Sequence, residues 1–290
     1  MCGVHPCYNL PAMTPFPRLL LTIDYESWFA LSRRYDLLAP EKRLALDGGF
    51  ARDAIDPILE KLGNAKASFY LVGELVEWYP ELPQKIMDAG HEVGFHCQVH
   101  RPLNIVAEVE NDLRHSAEWR KKYKVHGFRA PMIYTDEGVY PLLEKNDFTY
   151  SSSLYAPTGT ILQKGNILEI PASTLPLLQK PSTFHAPRRM DLPLILGGEF
   201  PYGSSFMSGL FPKTVFKVIE KEFKAGLSPV IFLHPYEIIS PERWPARFAH
   251  DLLINPLLYP FTLNKSNFLI DLLRNFPIST MEAYVRETAQ

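Results

Sequence analysis

Apolar and polar positions along the chain change period repeatedly. Arg18-Leu-Leu-Leu-Thr-Ile-Asp24 is a short apolar run ending in a carboxylate, the pattern of a buried strand. Ile55, Ile58, Leu59 and Leu62 then follow helical spacing, with Pro57 tolerable in a first turn and Gly63 as the stop. Lys66 to Val72 is strand-like again and closes at Gly73. Leu75, Val76, Tyr79, Leu82 and Ile86 carry a helical stretch to Gly90, and His91 to His96 is the next strand. Ile105, Val109, Leu113 and Ala117 predict one helix from about Asn104 to Tyr123, followed by a strand over Val125 to Arg129.

The alternation continues with a helix near Asp136 to Lys145 and strands near Phe148–Ser151 and Ile167–Ile170. A helix over Pro212–Ala225, a strand over Pro229–His234, a helix carrying Phe268, Leu269, Leu272 and Leu273, and an extended Pro277–Thr280 complete it. Such alternation favours a parallel α/β sheet, doubly wound or closed into a barrel. Two stretches resist it. Residues 155–211 hold seven prolines and six glycines and residues 235–263 hold five prolines, so both read as elaborated loops. No linker-like shift in composition and no repeat divides the chain, which predicts a flexible segment over 1–17 and one domain over 18–290.

Composition narrows the classes. At 290 residues the chain suits one large domain, and 46% hydrophobic with 21% charged residues excludes disordered and fibrous proteins. A net charge of -2 gives no basic surplus for nucleic acid. The longest apolar runs, such as Val230 to Leu233, are too short to span a bilayer, so no transmembrane segment is expected. Cys2, Cys7 and Cys97 are too few for a disulfide framework, and residues 1–17 lack the pattern of a signal peptide, so the expected location is cytoplasmic.

In parallel β/α folds the site lies at the carboxyl ends of the strands. Those ends carry Asp24 with Glu26, His96 with His100, Arg129 and His234. Singly, each acid reads as a cap or surface group and each histidine as a structural one; their coincidence at corresponding positions reverses that. His96 and His100 can present two imidazoles to one divalent ion, with a carboxylate completing a set that leaves positions open for water and substrate. The other carboxylate and His234 would then act on protons, a pattern of metal-assisted hydrolysis.

In this order the motifs resemble the polysaccharide deacetylases, carbohydrate esterase family four, over roughly residues 18–240. The matching pieces are Thr22-Ile-Asp24-Tyr-Glu26, Ala67-Ser-Phe-Tyr-Leu-Val-Gly73, His91-Glu-Val-Gly-Phe-His96-Cys-Gln-Val-His100, Phe128-Arg129-Ala-Pro131 and Ile231-Phe-Leu-His234. The Asp-x-Glu form and His234-Pro-Tyr-Glu237 resemble a branch acting in surface-polysaccharide pathways. The resemblance implies a distorted (β/α)7 barrel with Pro/Gly-rich loop insertions. It implies Asp24 as general base and Glu26, His96 and His100 as ligands of a divalent metal, zinc foremost. The backbone N–H of Met132 would face the developing oxyanion, Arg129 would orient Asp24, and His234 would protonate the departing amine.

The implied substrate is an acetylated sugar or oligosaccharide of a surface polysaccharide or its precursor. A non-sugar amide or ureide, or a silent glycan-binding barrel, are the alternative readings. Glu169 is the candidate partner of His234, since the family's usual Asp-x-x-x-Trp segment has no clean counterpart. Tyr25 and Trp28 read either as sugar-stacking or as core residues. Phe200, Tyr202, Phe206 and Phe211 read as a lid, a groove wall or a packing surface in a homo-oligomer. The charged run Arg120 to Lys124 reads as a solvated helix end.

Overall fold

The computed structural model describes residues 16–32, 35–103, 105–177, 194, 198–242 and 244–288. The N-terminal segment up to Pro15, with Cys2 and Cys7, lies outside them. Among the described residues twelve strands follow in chain order. The first five are β1 (Leu19–Tyr25), β2 (Ser68–Val72), β3 (Glu92–Cys97), β4 (Gly127–Phe128) and β5 (Tyr150–Ser151). Then come β6 (Tyr155–Pro157), β7 (Leu162–Lys164), β8 (Ile167–Glu169), β9 (Ala172–Pro176), β10 (Glu199–Phe200), β11 (Val230–Leu233) and β12 (Ile278–Ser279).

The main sheet runs β11-β1-β2-β3-β4-β5-β8, seven strands all parallel, with β7 antiparallel on the far edge and β12 alongside β1. A small second sheet, β10-β9-β6, follows the last of them. Between β8 and β11 the ring is completed by another route. The Gly203 N–H donates to the Ser173 carbonyl at 2.9 Å, and the Phe232 N–H donates to the Gly203 carbonyl at 3.0 Å. A Cβ on Gly203 would lie 2.5 Å from the Val230 carbonyl oxygen and 2.6 Å from the Ser173 nitrogen, so only glycine fits this seam. The fold is one mixed α/β domain, the distorted (β/α)7 barrel expected from the sequence.

Strand periodicity explains what faces inward. In β1, Leu19, Leu21, Ile23 and Tyr25 join the large outer core with Ala51, Ile55 and Ile58 of the helix Phe50–Leu62. The alternate residues Leu20, Thr22 and Asp24 point the other way, and Leu20 packs with Tyr70, Tyr150 and Val230. Both faces of β1 are therefore buried, as a parallel barrel strand requires. The two inner tyrosines need room. A Cβ on Gly94 would come within 2.5 Å of the Tyr70 ring, and one on Gly127 would overlap the Tyr150 hydroxyl. Met281, Tyr284 and Val285 of the terminal helix Met281–Thr288 plug the lower end of this inner cluster. There the Met281 and Glu282 N–H groups donate to Ser68 Oγ (2.8 Å) and Glu92 Oε2 (3.0 Å).

Several local expectations are corrected. The helix carrying Pro57 begins at Phe50, so the proline sits inside it; packing of Ile55, Ile58 and Leu62 outweighs the lost backbone bond. The single helix over 104–123 is two, Val106–His115 and Ala117–Lys122, broken where the Ser116 hydroxyl donates to the Asp112 carbonyl at 2.8 Å. Arg120 is buried, its guanidinium 4.9 Å from the Phe148 ring centroid and bonded to Ser116 and the Leu113 carbonyl, so the charged run is not all solvated. Residues 235–263, expected as loop, contain the helices Pro235–Ile238 and Trp244–Ile254 and the 3-10 segment Pro256–Thr262. Pro235, Pro245 and Pro256 stand at the first or second position of these helices, where proline is tolerated.

Candidate active site

Asp24 is the last inward-facing residue of β1, and its Oδ1 accepts from Arg129 Nη1 at 2.8 Å. Arg129, just beyond β4, has no exposed surface. It donates also to the Thr22 hydroxyl, to Ser152 Oγ at 2.8 Å and to the Ser152 carbonyl at 3.0 Å, and its guanidinium lies 4.4 Å from the Tyr70 ring centroid. Burial opposes its charge, but Asp24 opposite more than compensates and its pKa is raised. An arginine so fully bonded is a fixed strut. It sets where the Asp24 carboxylate sits.

Glu26 follows one residue past β1 and is buried. Its Oε1 accepts from the Tyr236 hydroxyl at 2.7 Å. Its Oε2 lies 2.8 Å from His100 Nε2 and 4.0 Å from His96 Nε2 but makes no well-formed hydrogen bond. Burial pushes the Glu26 carboxyl up, yet the His100 charge and contact, with His234 and His96, outweigh it and bring it down to about 2. His96 faces inward from β3, and its Nδ1 is 2.6 Å from the Arg129 carbonyl. Donation there leaves Nε2 with a lone pair toward Glu26. Burial holds His96 down to about 4, so it is a neutral imidazole near neutral pH.

Ligand atoms of Glu26, His96 and His100 all lie within 4.8 Å of one another. The set fits a divalent cation on two grounds. It combines two imidazole nitrogens with one carboxylate, and Glu26 Oε2 is a buried anionic oxygen without a good donor of its own. The longer glutamate side chain reaches this place because Oε1 is tied back to Tyr236.

His234 ends β11 on the other side of Glu26, with Nε2 at 3.8 Å from Glu26 Oε1. Its ring is stacked on Tyr236, centroids 5.0 Å apart at 6°, and Phe261 meets it edge-on at 5.8 Å. Its Nδ1 is 3.1 Å from Glu237 Oε2, which also accepts the His234 backbone N–H at 2.8 Å. Burial lowers the His234 pKa, but Glu237 more than reverses that and raises it. The partner of His234 is thus Glu237 and not Glu169. Glu169 instead accepts from the Ser153 and Leu154 N–H groups and from the Tyr140 hydroxyl.

Glu237, Tyr236 and Lys265, which pairs with Glu237, were not identified from sequence as site residues. His234-Pro-Tyr-Glu237 carried a signal for the first two: a glutamate three residues into a turn that starts at a histidine can reach back to it. Lys265 carried none. Met132 follows Pro131 with φ 59° and ψ 15°, a left-handed conformation uncommon outside glycine, and the next residue, Ile133, also has positive φ. Tyr25 and Trp28 are core residues; Tyr25 bonds the Ala51 carbonyl and Trp28 packs with Phe29, Tyr35 and Tyr236. Of the aromatic insertion, Tyr202 is buried at the seam, while Phe206 packs on Phe261 beside His234.

Residues 47–151 match the polysaccharide deacetylase family model. The chain is 24% identical over 164 residues to the peptidoglycan deacetylase-like protein FGM2 of Gibberella zeae, covering 52% of this chain and 48% of that protein. It is 38% identical over 72 residues to a Bacillus cereus peptidoglycan-N-acetylglucosamine deacetylase, covering 24% and 26%. The chain thus spans half or less of the curated relatives it matches. In structure it is similar to a Mycobacterium smegmatis protein described as a polysaccharide deacetylase, with TM-score 0.52 and 17% identity over 95% of this chain and 97% of that one. This chain is thus similar to the polysaccharide deacetylases, in sequence over residues 47–151 and in fold over most of its length.

Proposed function

We propose that this protein is a metal-dependent hydrolase that removes the N-acetyl group from an amino sugar of a surface polysaccharide or its precursor. One observation carries the reading: an acid held by an arginine and a histidine held by a glutamate flank a two-histidine, one-carboxylate cluster at the strand ends of one barrel. The match of residues 47–151 to the polysaccharide deacetylase model supports the deacetylation chemistry. The Asp24-Tyr25-Glu26 and His234-Pro-Tyr-Glu237 forms support a surface-polysaccharide substrate.

Glu26, His96 and His100 would hold the ion, which supplies Lewis-acid activation of the acyl carbonyl and of the attacking water. Asp24, fixed by Arg129, takes a proton from that water as its oxygen bonds to the acetyl carbon. The Met132 N–H would face the oxygen that becomes negative. His234 Nε2 gives its proton to the sugar nitrogen as the C–N bond breaks. Acetate and a free amino sugar leave, and the proton held by Asp24 balances the one spent by His234.

The test is acetate and amine release from acetylated chitooligosaccharides and peptidoglycan fragments by zinc- or cobalt-loaded protein. The expected result is one acetate per new amine in the wild type and loss of at least about a hundredfold in Asp24→Asn, with metal content retained. Asp24→Asn turning over at the wild-type rate would remove the base assignment. No release from any acetylated sugar, with turnover of small amides or ureides, would move the substrate class away from glycans.

A further inference from the structure

Lys265 lies between the 3-10 segment Pro256–Thr262 and the helix Ser266–Asn275, distant in sequence from every strand end. It is 3% exposed, and its Nζ forms an ion pair with Glu237 Oε1. Its backbone N–H also donates to the Glu237 carbonyl at 2.6 Å. Lysine is rarely this buried. A buried ion pair is poor evidence of stabilisation, because two packed apolar side chains of similar size do as well or better. What an apolar pair could not do is assign the two oxygens of Glu237. With Oε1 taken by Lys265, Oε2 is left to His234, where it meets both Nδ1 and the backbone N–H.

The same segment reaches the ring from another side. Phe261 lies edge-on to His234 and 5.8 Å from Lys265 Nζ. His234 is thereby held by Tyr236 on its face, Phe261 at its edge and Glu237 at Nδ1, with Nε2 directed toward Glu26. We propose that Lys265 is a positioning residue: through Glu237 it fixes the ring and the proton-bearing Nε2 of His234 for transfer to the departing nitrogen. This rests on the deacetylase reading.

The test compares two substrates that differ in their need for an acid. An amide nitrogen must be protonated to leave, whereas 4-nitrophenolate leaves from 4-nitrophenyl acetate without help. In Lys265→Met, kcat on an acetylated chitooligosaccharide should fall about ten- to a hundredfold with KM unchanged, while the aryl ester is hydrolysed within about twofold of wild type. Lys265→Arg, which can still pair with Glu237, should recover most of the amide rate.

Lys265→Met leaves Glu237 buried without its cation, so the neutral pair Glu237→Gln/Lys265→Met serves where the single variant does not fold. Its selective amide loss should equal that of Glu237→Gln alone, since Lys265 acts only through Glu237. Equal loss on both substrates, no loss on either, or a further amide loss in the double variant would overturn the proposal with the deacetylase reading intact. A wild type inactive on the glycan would instead overturn that reading, and this one with it.

Discussion

At the residue scale the site works by assigning individual atoms. Glu26 is the clearest case: Tyr236 takes Oε1 and leaves Oε2, without a well-formed bond, beside His96 and His100. Tyr236→Phe should therefore weaken zinc or cobalt binding about tenfold, read by competition with a chromogenic chelator, while the fold melts near the wild-type temperature. Unchanged affinity would mean that Glu26 needs no such tether. His91 gives a second prediction, away from the site. Its Nδ1 accepts the Ala67 N–H at 3.1 Å, and burial with nearby Lys66 holds its pKa down to about 4 from 6.5. The unfolded chain takes up that proton more readily, so this contribution to stability is present above pH 6.5 and lost as pH falls toward 4. Denaturant titrations should show wild type losing about 1–3 kcal/mol more than His91→Gln across that window. Parallel curves would rule His91 out as the source.

At the scale of elements, the inner faces of β1 to β5 stack in layers that carry the site. Glu92, Tyr70 and Tyr150 form a bonded group low in the barrel, Arg129 rests on Tyr70, and Asp24 sits on Arg129. Gly94 exists in this stack to make room for Tyr70. Gly94→Ala should cost roughly 1–3 kcal/mol by overpacking and should lower activity as well, because the displaced ring supports Arg129. Stability measured by denaturant and turnover measured at low temperature would separate the two effects. An alanine tolerated in both would show that the inner layers are looser than their spacing indicates.

For the whole molecule, the candidate cation site joins two distant parts of the chain, Glu26 after β1 and His96 with His100 at the end of β3, so loading it should tie these strand ends together. Zinc at about a hundred times its Kd should stabilise the protein by about 2.7 kcal/mol, seen as a rise in Tm. The rise should vanish in His100→Ala and return to its full size in wild type after chelation and reloading. A Tm indifferent to zinc, with zinc shown to bind, would place the ion elsewhere. Among the described residues no helix is long and apolar enough to cross a membrane.

The strands bearing Asp24, His96, Arg129 and His234 were legible in the sequence because strand period and strand-end chemistry are local properties. The parallel class of the sheet followed from their alternation with helices. Where each of those side chains points followed from the same period of two. The rest depended on contacts between distant segments. Glu237 reaches His234 within its own turn, a local contact the sequence already offered, whereas only the fold shows Glu169 engaged by Ser153, Leu154 and Tyr140 instead. Lys265 has no local pattern, since its role comes from lying against a turn 28 residues earlier. The helices of residues 235–263 were hidden by prolines whose cost is small at helix starts. Arg120 looked like a surface charge until the Phe95 and Phe148 rings covered it. Sequence by itself determined most strands of the parallel sheet and the chemistry offered at their ends. Tertiary structure decided the pairing of buried charges, because burial strengthens each contact between charged groups and leaves an unpaired one too costly to keep.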